Sequence, residues 1–408
     1  MDGPLKGIRV LDLSRVLAGP WATQTLADLG ADVIKIERPG VGDDTRQWGP
    51  PFVTRKDGTR GDAAYFMCAN RGKRSVTVDI AHDRGAALIR QLAGRADVLV
   101  ENFRVGGLKR YGLDHESLCA LNPRLVYCSI TGFGQDGPEA KRAGYDYMIQ
   151  AMGGLMSITG QPDGQPGAEP MKVGVAVADL FTGTNAANAI LAALFHAQRT
   201  GEGQHIDMAL FDSQAAMLAN QASNWFVSGQ PPKRLGNAHP NLSPYQPFAC
   251  QDGAVVIAVG NDAQFRALCR ALGQDDLADD PRYLTNAARV GNRDSLTTVL
   301  AATTASMNMS ALMQVLEVAG VPCGPVNRVD QVFDEPQARA RGLVIETPRD
   351  DLAGPVRTVA SPLRLSRAGQ NSAPLPPPAL GAHTDEVLAQ WLHMGSDEIA
   401  ALRDEGVL

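Results

Sequence analysis

Asp179 is the only carboxylate in the stretch 171–195, a run otherwise built largely of apolar and small residues. The Ala-rich part, 185–195, reads as a close-packing helix, and Asp179 with Thr182 and Thr184 falls where its first turn should begin. One job for such a residue is structural: an N-cap whose oxygen accepts from a free backbone N–H. The other is chemical. A carboxylate held partly desolvated at a helix start lies where N–H groups and the positive dipole end can stabilise developing negative charge. The segment alone leaves both open.

A second set of residues with chemical potential is basic and aromatic: Lys35 and Arg38, the run Asn70-Arg71-Gly72-Lys73-Arg74, then Asn102-Phe103-Arg104, then Arg110. All lie at the ends of segments that read as strands. If those strands are parallel, their carboxyl ends share one edge, and a ligand with several phosphates and a flat base suits it. The plainer alternative is that they are solvated loop charges.

The elements that position these residues read as α/β. Residues 7–13 form a short apolar strand, 21–29 a helix stopped by Gly30, and 32–36 a second strand, which together make a βαβ unit. Strand-like 75–79, 97–101 and 125–129, with helix-like 84–92, extend a mostly parallel sheet covered by helices. After a helical stretch at 210–221, residues 228–247 are rich in Pro, Asn and Gly and lead into a smaller α+β unit. That unit holds a hairpin at 248–259 around Asp252-Gly253, then helices to about residue 319. The expected division is a large α/β domain over 1–227, a small domain over 228–330, and a return to the large domain over 331–408. The return carries an extended proline-rich stretch, 374–378, and two short helices at 385–391 and 397–403.

Composition narrows the function. A chain of 408 residues with 44% hydrophobic content supports a substantial core, and a net charge of −6 spread along it argues for a small-molecule partner over nucleic acid. Six cysteines without a Cys-x-x-Cys pair point to free thiols in a reducing cytoplasm, with neither a disulfide framework nor a zinc site. No signal-like or bilayer-length apolar run is evident, so membrane attachment is not expected. There is no Gly-x-Gly-x-x-Gly, no Gly-x-x-x-x-Gly-Lys-Ser/Thr, no Gly-x-Ser-x-Gly and no His-Glu-x-x-His. Gly40-Val41-Gly42 is a partial dinucleotide fingerprint in the wrong place, after the second strand.

Taken together, Val10-Leu11-Asp12-Leu13-Ser14-Arg15-Val16-Leu17-Ala18-Gly19-Pro20, the block 29–37 and Val100-Glu101-Asn102-Phe103 resemble class III coenzyme A transferases, the formyl-CoA and carnitine-CoA transferase (CaiB/BaiF) family. Blocks 42–46, 70–75, 129–134, 320–325 and 380–388 extend the resemblance nearly end to end. Block 46–52 is similar to the members that pair succinyl-CoA with glutarate. The resemblance implies a large Rossmann-like domain made from both chain ends, a small domain between them, and a homodimer of interlocked rings. It implies transfer of CoA from an acyl-CoA donor such as succinyl-CoA to a dicarboxylate such as glutarate. CoA is then a substrate, with no metal or tightly bound cofactor.

By the same resemblance Asp179 is the nucleophile, forming an aspartyl anhydride and then an aspartyl-CoA thioester. CoA lies near Val16, Arg38, Val78, Asn102, Phe103, Arg110 and Arg142, and the acyl pocket near Arg15, Leu17, Tyr65 and Tyr145. Arg15 and Arg46 offer a cation for a distal carboxylate. Formyl-CoA enzymes carry His and Gln where Arg15 and Leu17 stand, which argues against an oxalate specialist. Oxalate-type or carnitine-type transfer, α-methylacyl-CoA racemisation and CoA binding without catalysis are the alternatives. Racemases have Gly-His-Asp where this chain has Gly144-Tyr145-Asp146, and an ordinary phenol is a poor base at neutral pH.

Overall fold

In the computed structural model, which describes residues 3–367 and 374–408, strand β1 (Arg9–Asp12) runs into helix α1 (Ala18–Asp28) and returns as the parallel neighbour β2 (Asp32–Glu37). A small antiparallel pair, β3 (Phe52–Thr54) and β4 (Arg60–Ala63), and the one-turn helix α2 (Ala64–Met67) precede β5 (Lys73–Thr77). Helix α3 (Asp83–Ala93), β6 (Val98–Glu101), α4 (His115–Leu121) and β7 (Val126–Thr131) follow. After α5 (Asp146–Met152), α6 (Leu155–Ile158) and the long α7 (Val177–Thr200), β8 (Gln204–Ala209) completes a six-stranded sheet of order β5-β2-β1-β6-β7-β8. Every pairing in it is parallel.

The pleat sends successive residues of β1 to opposite faces. Val10 joins Ala22, Leu26, Ala186 and Ile190 under α1 and α7, while Leu11 joins Leu88, Leu92, Val387 and Trp391 on the other side. Both faces are buried, as a parallel sheet requires.

Three local features depart from the expectation. The edge strand β8, Gln-His-Ile-Asp-Met-Ala, is too polar to announce itself as a strand. The stretch read as one helix at 210–221 is two, α8 (Leu210–Met217) and α9 (Ala219–Ser228), separated where Ala219 adopts φ +42°. Helix α7 starts eight residues before Asn185.

Chain contacts divide the molecule into two compact units. The first comprises Met1–Gly153, Gly174–Met217 and Arg339–Leu408; the second comprises Gly154–Val173 and Leu218–Ala338. The second unit therefore begins and ends outside the expected 228–330 and also takes in 154–173. Its Pro- and Gly-rich stretch starts only after α9, whereas contacts change hands at the break before Ala219. Within the second unit, β9 (Tyr245–Cys250) and β10 (Gly253–Ala258) form the hairpin around Asp252-Gly253, and β11 (Cys323–Pro325) pairs antiparallel with β10. Phe248, Val255, Ile257, Phe265, Leu296 and Leu312 fill its core.

In the first unit the late helix Thr384–Leu392 covers β5: the His383 N–H donates to Ser75 O at 3.0 Å, and Trp391 Nε1 donates to Asp32 Oδ2 at 3.1 Å.

Candidate active site

In the sheet order, β2 lies to one side of β1 and β6 to the other, so the chain reverses direction between β1 and β6. The loops leaving two such strands at their carboxyl ends diverge and leave a crevice. A cavity of about 630 Å³ occupies that place. Its lining includes Arg15, Val16 and Leu17 after β1, Arg38 after β2, and Val78 after β5. Asn102 and Phe103 after β6, Arg110 beyond them, Arg142 and Tyr145 before α5, and Asp179 on α7 also line it. Arg104 and Lys141 add further positive charge. The outlying arginines are solvent-facing, while Val78 is buried.

The first of these loops is held from below by ions out of water. Lys35 Nζ donates to Ser14 O at 2.9 Å and pairs with Asp43 at 2.8 Å, both side chains fully buried. Burial opposes charge on Asp43, but Lys35 and the N–H and hydroxyl of Thr45 outweigh it and leave the carboxyl at about 2. The same carboxylate accepts from the Val16 N–H at 3.2 Å. Val16 has φ +71°, a left-handed conformation that costs a β-branched residue about 1–2 kcal/mol. Asn102 secures the preceding residue: its Oδ1 accepts from Arg15 N at 2.9 Å and its Nδ2 donates to Arg15 O at 2.7 Å.

Asp179 is positioned by close packing and by a borrowed cap. Gly183, one turn along α7, lies so near α1 that a Cβ there would meet Ala18 O at 2.4 Å. Only glycine lets the two helices approach this closely, and the contact sets Asp179 beside the start of α1. Asp179 is not the N-cap of its helix. The Asp146 carboxylate does that work, accepting at Oδ1 from the Ala178 N–H at 2.8 Å and the Asp179 N–H at 3.3 Å. The Val177 N–H goes to Val175 O and the Leu180 N–H to Ala176 O. The N–H groups expected to stabilise charge on Asp179 are thus already taken. Burial first, and then the negative Asp146, raise the Asp179 carboxyl to about 7. Such an aspartate is about half ionised at neutral pH and unusually basic, both useful in a nucleophile.

Residues 5–384 match the family model described as CoA-transferase family III. The chain belongs to CoA-transferase family III. This transferase is 53% identical over 393 residues to the succinate–glutarate CoA-transferase of Agrobacterium fabrum, with 95% of each chain covered. It is 44% identical to the succinyl-CoA:glutarate CoA-transferase of Mus musculus, covering 99% of this chain and 90% of the relative. Among solved structures, a CaiB/BaiF family protein from Brucella suis superposes with a TM-score of 0.84 at 51% identity, covering 96% of the transferase and all of that chain.

Eleven of the thirteen residues expected at the site line the one cavity; Arg46 and Tyr65 do not. Arg46 is spent elsewhere. Its guanidinium donates to Glu37 at 2.7 and 2.8 Å, reaches Asp62 at 3.0 Å and lies 3.7 Å over the Phe66 ring. This buried cation is neutralised by the protein's own carboxylates and does not line the cavity. Tyr65 stands edge-on to Trp48 with ring centroids 5.3 Å apart, and burial together with the nearby Asp179 charge pushes its phenol to about 12. It remains a neutral neighbour of the cavity.

The sequence reading missed Asp146 as a cap, because it lies more than thirty residues before the helix it caps. It also missed the contact of Gly132 with Gly144, where a Cβ on Gly132 would meet Gly144 Cα at 2.6 Å. Both glycines line the cavity, and their contact fixes the Tyr145-Asp146 segment against the end of β7. A clue to both lay in the strings Thr131-Gly132-Phe133-Gly134 and Gly144-Tyr145-Asp146.

Proposed function

We propose that this transferase moves CoA between succinyl-CoA and a dicarboxylate such as glutarate, with Asp179 as the covalent nucleophile. The observation that carries the proposal is a basic aspartate facing a cation-rimmed cavity at the sheet's switch point. The names of the similar enzymes from Agrobacterium fabrum and Mus musculus support the substrates.

CoA phosphates are assigned to Arg38, Arg110 and Arg142, with Arg104 and Lys141 beside them, and the loops of Val16, Val78, Asn102 and Phe103 form the walls. The Asp179 carboxylate attacks the thioester carbonyl; a C–O bond forms, the C–S bond breaks and CoA leaves as thiolate. The thiolate then attacks the Asp179 carbonyl of the anhydride, releasing the first acid as its carboxylate. The acceptor carboxylate attacks the resulting aspartyl-CoA thioester, and the freed thiolate takes the new acyl group. Each step exchanges one anionic leaving group for another, so no net proton is needed, and one hard exchange becomes several easier ones.

Arg15, with Leu17 and Tyr145 beside it, is assigned to the acyl end. Its guanidinium lies 5.4 Å over the Phe103 ring and reaches Asp44 at 3.4 Å, an exposed and therefore weak pair that a substrate carboxylate can replace. We also propose a homodimer and a cytoplasmic site of action, the latter supported by six free cysteines.

The test is mass spectrometry of CoA esters after mixing the protein with succinyl-CoA and glutarate, itaconate, oxalate or carnitine, beside Asp179→Asn. Glutaryl-CoA formed by the wild type alone is the expected result. Exchange by Asp179→Asn at the wild-type rate would overturn the role of Asp179.

A further inference from the structure

Asp146 is the residue whose placement the transfer chemistry does not by itself explain. A neutral Ser, Thr or Asn caps a helix well, yet here a second carboxylate stands at the start of the helix that carries the nucleophile. It arrives from another element, at the first position of α5, and its two oxygens are both engaged. Oδ1 accepts from the backbone N–H groups of Ala178 and Asp179, and Oδ2 accepts from Gln150 Nε2 at 2.7 Å. Gln150 is fully buried and also donates to Val175 O, just before α7, at 3.5 Å. The Gly132–Gly144 backbone contact fixes the approach of the segment. Asp146 is therefore tied to the α7 start at several points and has little freedom to turn away from Asp179.

We infer that Asp146 is a positioning residue for the nucleophile, occupying the Ala178 and Asp179 N–H donors at the start of α7 and holding a like charge beside Asp179. The inference rests on Asp179 being the nucleophile. An N–H donated to a carboxylate stabilises its charged form and weakens it as a base, so diverting these donors to Asp146 preserves nucleophilicity. The like charge acts in the same direction. When Asp179 forms its bond to the acyl carbon, its negative charge passes to the departing thiolate, and the repulsion from Asp146 is relieved. The ground state carries a strain that the product of the step does not.

Other groups on the surrounding elements do not take over this role. Tyr65 on α2 is neutral throughout the working range. On the other elements packed against α7, Asp28 of α1 is held by Arg71 at 2.5 Å, Tyr147 of α5 and Asp212 of α8 are exposed, and β8 brings Asp207 and His205. On β7, Tyr127 and Cys128 are buried and pushed away from ionisation. His196 and Arg199 lie about five to six turns beyond Asp179 along α7 itself. Burial and Asp146 are the causes that raise Asp179.

The test is the pH dependence of CoA transfer by full-length Asp146→Asn, with succinyl-CoA and glutarate, from pH 5.5 to 9. Asparagine keeps an oxygen for the two N–H groups and removes the charge. The acid limb of kcat is expected to move to lower pH, because Asp179 ionises more readily. The high-pH plateau is expected to fall roughly threefold or more, because a less basic carboxylate is a weaker nucleophile. A limb and plateau identical to wild type would overturn the inference and leave Asp146 a cap only. Asp146→Ser, which also keeps an uncharged acceptor, makes the same comparison if the asparagine variant does not fold. Failure of the underlying reading looks different: Asp179→Asn would then remain active, whatever Asp146 does.

Discussion

Asn102 brackets Arg15 from both sides of its peptide backbone, accepting from its N–H at 2.9 Å and donating to its carbonyl at 2.7 Å. The two residues belong to loops that follow β1 and β6, the pair of strands between which the sheet reverses direction. One amide side chain thus closes the crevice at its base and fixes the neighbour of the strained Val16. Replacing Asn102 by alanine leaves both backbone groups of Arg15 to water and frees the loop, a loss of about 1–3 kcal/mol. Steady-state kinetics should show KM for succinyl-CoA raised about tenfold, with kcat changed less.

The ionisation of Asp179 sets the working pH. Transfer should rise through about pH 7 as its carboxyl loses its proton, and a rate–pH profile in buffers of constant ionic strength will show the limb. Activity retained in full at pH 5 would contradict the assignment.

Stability should run the opposite way. A carboxyl whose folded pKa lies above its unfolded value of 3.8 costs stability as pH rises between the two, since the folded state holds a proton the unfolded state has lost. Asp179→Asn is therefore expected to raise Tm at pH 8 by roughly 2–4 °C. The advantage should shrink to nothing as pH falls below about 4.

Arg15 and Arg46 should separate cleanly. Arg15→Met is expected to cut kcat/KM for glutarate by about ten- to a hundredfold while sparing a monocarboxylate of similar length, the signature of a lost ion pair to substrate. Arg46→Met leaves Glu37 without its buried guanidinium partner, while Asp62 keeps Arg349, and should cost about 3–5 kcal/mol of stability with no such selectivity. Thermal melts and acid-panel kinetics on both variants provide the comparison.

Lys35→Met tests the support under the Val16 loop. It removes the buried partner of Asp43, so Asp43 should lose its depressed pKa. In wild type that depression contributes stability above about pH 4, lost as pH falls toward 2; the variant should lack this acid-limb slope in a Tm–pH series.

The sheet and its crevice were legible because β1, β2, β6 and β7 are short apolar runs ended by glycine or by basic residues, and parallel pairing follows once helices alternate with them. What escaped were features made by distant residues. Val177, Thr182, Gly183 and Thr184 are poor helix formers, so local propensity placed the start of α7 too late; Asp146 and the packing of Gly183 on Ala18 override it. The same limit applied to Arg46. A basic residue in a motif looks like a ligand for substrate, and only the placement of Glu37, Asp62 and Phe66 shows that it is already satisfied. β8 was hidden by polar residues suited to an edge.

The cover over β5 has a consequence for how the chain reaches its native state. Ser75 gives both its N–H and its carbonyl to His383, and Thr77 N–H meets the Thr384 hydroxyl, so residues more than three hundred positions later close this side of the sheet. During synthesis β5 leaves the ribosome early and waits, its hydrogen-bonding edge open, while the entire second unit is made. In that interval the open edge can pair with a neighbouring chain, and a chaperone supply that shields it should raise soluble yield.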